Sequence, residues 1–341
     1  MIKIVIILIL VFINKNVLSD NLFETKFYNI EFTSNNIKEE KINQINKIKS
    51  KSIFGVLQKT LNNERYNEII NDFDEDLINT FIQNIIINDE KIIDNKYFSK
   101  IKINFNKNKI INYFQNNKIP YVEYIPEKIL LIIYEEDELN SNLFTKNNSY
   151  YSYLSTSSKK YDFFKVPNLD INDRYILKKK DLLNKNVKKI KIFSNKYKLN
   201  DVFIIFIKKL ENNKNYEALL FSDDQILEKK LLFYKKDYNQ FFEFIKKESL
   251  SIWKQINEIQ NTNLNTISCN ISYYNLLELK ELKNNLNNIS LIKNLSIKSL
   301  SYKKIEYNIS YYGNLKIFTQ ILKLNKLNIN HSDENCSIKL I

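Results

Sequence analysis

The residue types that carry most enzymatic chemistry are scarce in this chain. Its 341 residues include a single histidine, His331, and two cysteines, Cys269 and Cys336. A Ser-His-Asp or Cys-His arrangement would have to use His331, which lies in a polar stretch and is better interpreted as a turn residue. One His and two distant Cys do not have the spacing of zinc ligands. We therefore predict no catalytic residues, no metal site and no cofactor.

A run of four acidic residues, 135–138, follows the apolar segment Ile129 to Tyr134. Carboxylates at a strand end can bind a divalent cation, but the spacing of an EF-hand is absent, so a solvated charge run is the simpler interpretation. The two glycines, Gly55 and Gly313, are isolated, so we predict no phosphate-binding glycine loop. A hydrolase with an unrecognised carboxylate site stays an alternative.

Both cysteines lie in the last 75 residues or so, where a disulfide between them is one possibility. An oxidising compartment would permit the bond. Cys269 lies in the first predicted strand of this segment, and Cys336 precedes the last one. If these strands were antiparallel neighbours, the two Cα atoms would lie beyond the limit of about 7 Å for a disulfide. The strand positions therefore argue against pairing.

The amino terminus has the pattern of a secretion signal. Lys3 is followed by ten apolar residues, Ile4 to Ile13, and Val17 and Ser19 suit the −3 and −1 positions of a cleavage site. Ten residues are too few for a membrane-spanning helix, which needs about 20. We expect cleavage after Ser19 (signal peptide 1–19) and a periplasmic protein without a transmembrane segment. An uncleaved anchor is the alternative.

The net charge of +13 has two explanations. Ile, Asn and Lys dominate the composition, as in proteins of AT-rich bacteria, and the lysines are spread along the chain. A codon bias of this kind can produce a net positive charge that has no function. A positive charge can also serve to bind an anionic polymer or lipid. The hydrophobic share of 44% is sufficient for a packed core.

Periodicity predicts an α+β fold of small mixed-sheet modules with helices on one face. In residues 20–138 it predicts a β-α-α-β-α-β module, with helices beginning after the caps Asp74 and Asn106. The polar residues 139–162 are predicted to be a loop and a domain boundary. Residues 163–260 are predicted to form an α/β module. The predicted elements of these two modules are strands at 26–33, 98–105, 129–134, 202–207 and 216–221, and helices at 37–61, 75–86, 107–118, 185–193 and 238–259.

A polar linker, Asn261 to Asn265, precedes a tail whose elements follow the order β-α-β-β-α-β of a ferredoxin-like module over residues 266–341. Leucine stripes, beginning at Leu276 in the first helix, predict that both helices cover one sheet face. The opposite face would carry Ser272, Tyr274, Asn308, Ser310 and Tyr312. We predict an interface at Tyr274, Ser310 and Tyr312, since polar-aromatic mixtures are enriched at interfaces. Docking of this face on the preceding module is the alternative.

The segment Ile101 to Asp137 resembles the bacterial domain-of-unknown-function family 2066, a family of exported proteins. It shares a strand, a helix ending before Pro120, and a proline, Pro126, before an apolar strand. Two further motifs are similar to the same family, and the second of them is also distantly similar to the TolB amino-terminal domain. These are a P-x-x-D-x-x-D loop, with Asp170 and Asp173, and a helix-to-strand step, with Tyr197 and Asp201. The resemblance implies an exported protein of unassigned activity, and we interpret these four residues as structural.

The expected function is that of a non-enzymatic periplasmic binding or adaptor protein whose partner is another envelope protein. The first alternative is a polyanion-binding envelope protein that uses surface lysines to meet peptidoglycan, lipopolysaccharide or anionic lipid. The second is the hydrolase mentioned above. Nucleic acid is not an expected partner of an exported protein.

Overall fold

The computed structural model describes residues 22–341, except 146–147, 158–159, 211–212, 223, 234–236 and 333–335. The predicted signal peptide, residues 1–19, lies outside the described residues. The described chain is an α+β protein with three sheets, as predicted. We refer to residues 22–128, 129–257 and 264–341 as the N-terminal, central and C-terminal modules. No described helix is long and apolar enough to cross a membrane.

The N-terminal module is built on a three-stranded antiparallel sheet in the order β1-β3-β2. The predicted caps are present, since Asp74 Oδ1 accepts from the Leu77 N–H and Asn106 Oδ1 from the Lys109 N–H. The predicted second helix is shorter than expected, because the isoleucine-rich segment after Phe81 forms a strand. The elements are β1 Tyr28–Thr33, α1 Ile37–Thr60, α2 Asn63–Ile69, a 3-10 turn Ile70–Asp72, α3 Glu75–Phe81, β2 Ile82–Ile93, β3 Lys96–Phe105 and α4 Lys107–Asn116.

The central module has a mixed sheet in the order β5-β4-β7-β8-β9, with β6 also paired to β4. The apolar strand β4 pairs in parallel with β7. It is buried on both faces, as parallel strands usually are. The elements are β4 Ile129–Glu136, β5 Ser141–Leu143, α5 Ser149–Thr156, β6 Phe164–Lys165, α6 Ile171–Ile176, α7 Lys179–Leu183, α8 Val187–Lys196, β7 Asp201–Leu210, β8 Asn213–Ser222, β9 Gln225–Leu231 and α9 Tyr238–Asn257.

Two predictions about this region were wrong. The strand at 129–134 does not close the N-terminal sheet but belongs to the central one, because its apolar residues on both faces suit a position between two core layers. The predicted loop at 139–162 contains β5 and α5. The tyrosines of α5 pack in the core, and the Tyr151 hydroxyl accepts from the Ile133 N–H at 2.8 Å.

The C-terminal module has a five-stranded sheet in the order β11-β12-β10-β14-β13. Its first three strands have the arrangement of a split β-α-β unit, as the predicted ferredoxin-like order requires. The last strand, β14, departs from that order because it lies between β10 and β13 and pairs in parallel with β10. The elements are β10 Leu264–Ser272, α10 Leu276–Asn287, β11 Ile292–Ser301, β12 Lys304–Tyr312, α11 Leu315–Leu324, β13 Leu327–His331 and β14 Cys336–Leu340.

Parallel pairing of β14 corrects the prediction about the cysteines. Asn270 lies opposite Ser337, which places the preceding residues, Cys269 and Cys336, side by side. Their Cα atoms are 4.5 Å apart and the two residues form a disulfide. The argument against pairing assumed antiparallel neighbours, and the observed direction of β14 removes that assumption.

The modules share one continuous hydrophobic core, and polar contacts also join them. The predicted linker is not a free spacer, because the side chain of Asn261 donates to the Ile119 carbonyl at 3.0 Å. Ile259 pairs with Tyr121 in an isolated bridge. Lys254 of α9 is buried and donates to the Leu61 carbonyl at 3.0 Å, just after the end of α1. Whether the C-terminal module folds alone therefore stays a prediction.

Candidate anion-binding groove

A groove of about 800 Å³ runs between α1 and the segment that leads into β1. Residues of α1 at steps of three, four and seven lie on one helix face and form one wall. Four lysines line the groove, together with the aromatic side chains of Tyr28, Phe54 and Tyr66. The lysines are Lys26, Lys47, Lys51 and Lys59.

The groove has open space next to Gly55, which has no side chain. This glycine lies in the interior of α1, where glycine destabilises a helix by about 0.5–1 kcal/mol relative to alanine. A Cβ atom at this position would meet no heavy atom within 4 Å, so no neighbouring group requires a glycine here. The absent side chain leaves room for a ligand, in a chain that contains only two glycines.

Two ammonium groups approach the ring of Tyr28. Lys26 Nζ lies 5.6 Å and Lys51 Nζ 5.4 Å from the ring centroid, within the range of cation–π contacts. Among the described residues, Lys26, Lys47 and Lys51 form no ion pair. Since exposed cation–π contacts are weak, these ammonium groups retain their capacity to bind an anion.

The acidic residue of the groove is largely neutralised. Glu24 pairs with Lys102 at 2.7 Å, and this hydrogen-bonded partner lowers the pKa of the Glu24 carboxyl. Lys59 donates to the backbone carbonyl of Glu24 at 3.1 Å, rather than to the carboxylate. The lining therefore carries a net positive charge at neutral pH.

Ser52 belongs to the groove lining, but its hydroxyl is buried. Its side chain is 2% exposed, and its Oγ has no hydrogen-bond partner among the described residues. A buried polar group without a partner is uncommon and destabilising. Because the Oγ atom itself is buried, we assign it no role in ligand binding. The four lysines and three aromatic side chains of the lining suit an anionic, partly apolar ligand.

The residues that carry the family resemblance come together only in part. Asp173 is fully buried, with Oδ1 accepting from Tyr197 Oη at 2.5 Å and Lys196 Nζ at 2.6 Å. Its Oδ2 accepts from the Leu169 N–H at 2.8 Å, and Asp170 caps α6. Burial, above all, raises the pKa of Tyr197 to about 12. These contacts fix the loop against α8, which agrees with a structural role.

Asp201 lies elsewhere, at the junction of the central and C-terminal modules. It accepts a hydrogen bond from Ser222, whose Oγ also receives one from Lys316 Nζ at 3.2 Å. Lys316 donates to Asn257 Oδ1 at 3.1 Å as well. A lysine beside a serine can activate the hydroxyl as a nucleophile, but Ser222 is fully buried, so a substrate cannot reach its hydroxyl. The network ties α11 to α9.

The acidic run 135–138 is engaged in local contacts. Glu135 is buried and pairs with Lys209 at 3.0 Å, and Glu136 pairs with Lys179 at 2.9 Å. Asp137 accepts from the N–H groups of its own turn. In the described chain no group of three or more His, Cys, Asp or Glu residues could hold a metal ion. His331 is exposed at the end of β13.

The three predicted interface residues do not form one surface. Tyr274 is exposed beyond one end of β10, whereas Tyr312 lies opposite Leu264 at the other end, about 25–30 Å away. Tyr312 packs against the core, and Ser310 hydrogen-bonds to Thr266 on the sheet face. On β10 this face is exposed at Thr266, Ser268 and Ser272, whereas Asn308 and Ser310 on β12 are half-buried.

No protein-family model matches the chain, and no curated protein matches it either. The family resemblance therefore stays a prediction. The groove escaped the sequence argument because its lysines are indistinguishable from the many others in the chain. The one local signal that could have indicated the groove is Gly55, a glycine in the middle of a long predicted helix in a glycine-poor chain.

Proposed function

We propose that this protein is an exported, non-enzymatic binding protein that holds an anionic polymer in the α1 groove. The observation that supports it is that Lys26, Lys47 and Lys51 form no ion pair in the described part of the chain and lie beside the open space at Gly55. Phosphate, sulfate or carboxylate groups would contact the ammonium groups, and apolar parts of the ligand would lie on Tyr28 and Phe54. This is the first alternative of the sequence argument.

Two features support export to an oxidising compartment such as the periplasm. The Cys269–Cys336 disulfide is a bond that persists in secreted and periplasmic proteins and is rare in the cytosol. The first 19 residues have the composition of a signal peptide. An envelope location would give the groove access to anionic polymers and lipids.

An adaptor role is the second candidate, and the open face of the C-terminal sheet favours it. On β10 the hydroxyl side chains of Thr266, Ser268 and Ser272 are exposed, and Asn308 and Ser310 of β12 are half-buried beside them. A partner envelope protein would bind there through polar contacts. We retain the prediction of a non-enzymatic role because the buried carboxylates of Glu135 and Asp173 are each paired with a lysine.

Salt elution from immobilised heparin tests the anion-binding role. We expect Lys47→Glu/Lys51→Glu to elute at clearly lower salt than the wild type, since the charge reversal acts in the groove. The matched control is Lys188→Glu/Lys189→Glu, the same change in two exposed lysines at the start of α8. Equal shifts for both variants would mean that retention follows net charge alone, and would overturn the proposal.

A further inference from the structure

The end of the C-terminal module farthest from the junction carries a concentration of exposed apolar side chains. The residues are 69–89% exposed, and we call them the apolar tip: Tyr274, Leu276, Leu277, Leu300 and Tyr302. Leu276 was predicted to belong to the buried stripe of its helix. In the structure the stripe begins later, with Leu279, and Leu276 and Leu277 project into solvent.

Strand register brings these residues together. Ser272, the end of β10, lies opposite Lys304, the start of β12, and Leu300 lies opposite Ile305. The Tyr273 N–H donates to the Lys303 carbonyl at 3.1 Å, which joins the loop before α10 to the β11–β12 hairpin turn. The tip therefore combines the loop before α10 and the first turn of that helix with the end of the β11–β12 hairpin, and a backbone hydrogen bond joins the two segments.

Two lysines and two glutamates lie beside the tip, and only the lysines belong to the hairpin. Lys303 and Lys304 occupy the hairpin, are exposed, and form no ion pair among the described residues. Lys303 Nζ lies 5.5 Å from the ring centroid of Tyr302. The Glu278 carboxylate is directed at the backbone, accepting from the Tyr274 N–H at 2.7 Å. Glu281, one helical turn beyond Leu277, is an exposed carboxylate.

We propose that the apolar tip inserts into the surface of a lipid bilayer with anionic headgroups. Leucine side chains would enter the acyl boundary, tyrosines would lie at the headgroup level, and lysines would contact the headgroups. Exposed leucine and tyrosine side chains at one end of a module suit a bilayer surface, whereas the packed centre of a protein interface needs a complementary pocket. The proposal does not depend on the α1 groove.

Co-sedimentation with phosphatidylglycerol–phosphatidylcholine vesicles tests the proposal. The starting protein carries Lys47→Glu/Lys51→Glu, so that binding through the groove is suppressed. We expect Leu276→Ser/Leu277→Ser to lower the partition coefficient at least tenfold. The matched control Leu139→Ser/Leu232→Ser, which changes two exposed leucines of the central module, should leave it within twofold. Pure phosphatidylcholine vesicles should bind more weakly.

A second measurement reports insertion directly. Tyr302→Trp places an indole at the tip, and its emission should shift to the blue when vesicles are added, while the native Trp253 is buried and unaffected. No partition to anionic vesicles, or equal partition of the two leucine variants, would overturn the proposal. Concentration-dependent self-association that Leu276→Ser/Leu277→Ser abolishes, without vesicle binding, would assign the tip to protein contacts instead and would also overturn it.

Discussion

The disulfide between Cys269 and Cys336 should contribute a large part of the stability of the C-terminal module. The two cysteines are separated by 67 positions in the chain. A cross-link that closes a loop of this length lowers the entropy of the unfolded chain, which corresponds to about 4 kcal/mol at 25 °C. Both cysteines are buried, so Cys269→Ala/Cys336→Ala removes the bond without adding a polar group to the core.

Urea unfolding followed by far-ultraviolet circular dichroism measures the effect. The variant should lose about 4 kcal/mol, which lowers the midpoint by more than 1 M for a slope of about 1–3 kcal/mol/M. Fluorescence of Trp253 reports on the central module in the same samples. Reduced wild-type protein is the control and should match the variant. A loss below about 1 kcal/mol in both samples would refute the loop-entropy argument.

Three further predictions concern other parts of the chain. Burial lowers the pKa of Lys254 to about 8 from its usual 10.5. Between pH 8 and 10.5 the folded state therefore binds fewer protons than the unfolded state. The free energy of unfolding should therefore rise from pH 8 to 10.5 by at most about 3 kcal/mol, and Lys254→Met should remove this rise, as pH-dependent urea unfolding would show. Asp173→Ala should lower stability by about 1–3 kcal/mol, since Tyr197 and the Leu169 N–H lose their acceptor; unchanged thermal unfolding would contradict the structural role. Amino-terminal sequencing of the exported protein should begin at Asp20, and a chain that starts at Met1 would contradict cleavage after Ser19.

Local patterns predicted most of the elements but not their pairing. The caps at Asp74 and Asn106 and the helix after Ile37 follow from local rules, and the structure confirms them. The sheet to which residues 129–134 belong depends on contacts with β7, about 70 residues away, which no local pattern records. The disulfide was missed for the same reason, because the direction of β14 relative to β10 is a long-range property.

The candidate sites show the same limit. In a chain with 52 basic residues, nothing in the sequence distinguishes the lysines at 26, 47, 51 and 59 from the others. Only the fold places them along one groove. Tyr274 was predicted to be an interface residue for its place on an open sheet face. The structure instead places it in the loop before Leu276, which the leucine stripe had assigned to the buried helix face, and this loop is hydrogen-bonded to the hairpin turn at Lys303.

The most direct test of the central claim changes the shape of the groove without changing its charge. Gly55→Leu fills the hollow in α1 with a good helix former, and Gly55→Ala is the matched control that leaves most of the space open. Equilibrium binding of fluorescein-labelled dextran sulfate, followed by anisotropy, gives the Kd of each protein. We predict that Gly55→Leu weakens binding at least fivefold and that Gly55→Ala changes it less than twofold. Equal affinity of the three proteins would contradict binding in the α1 groove.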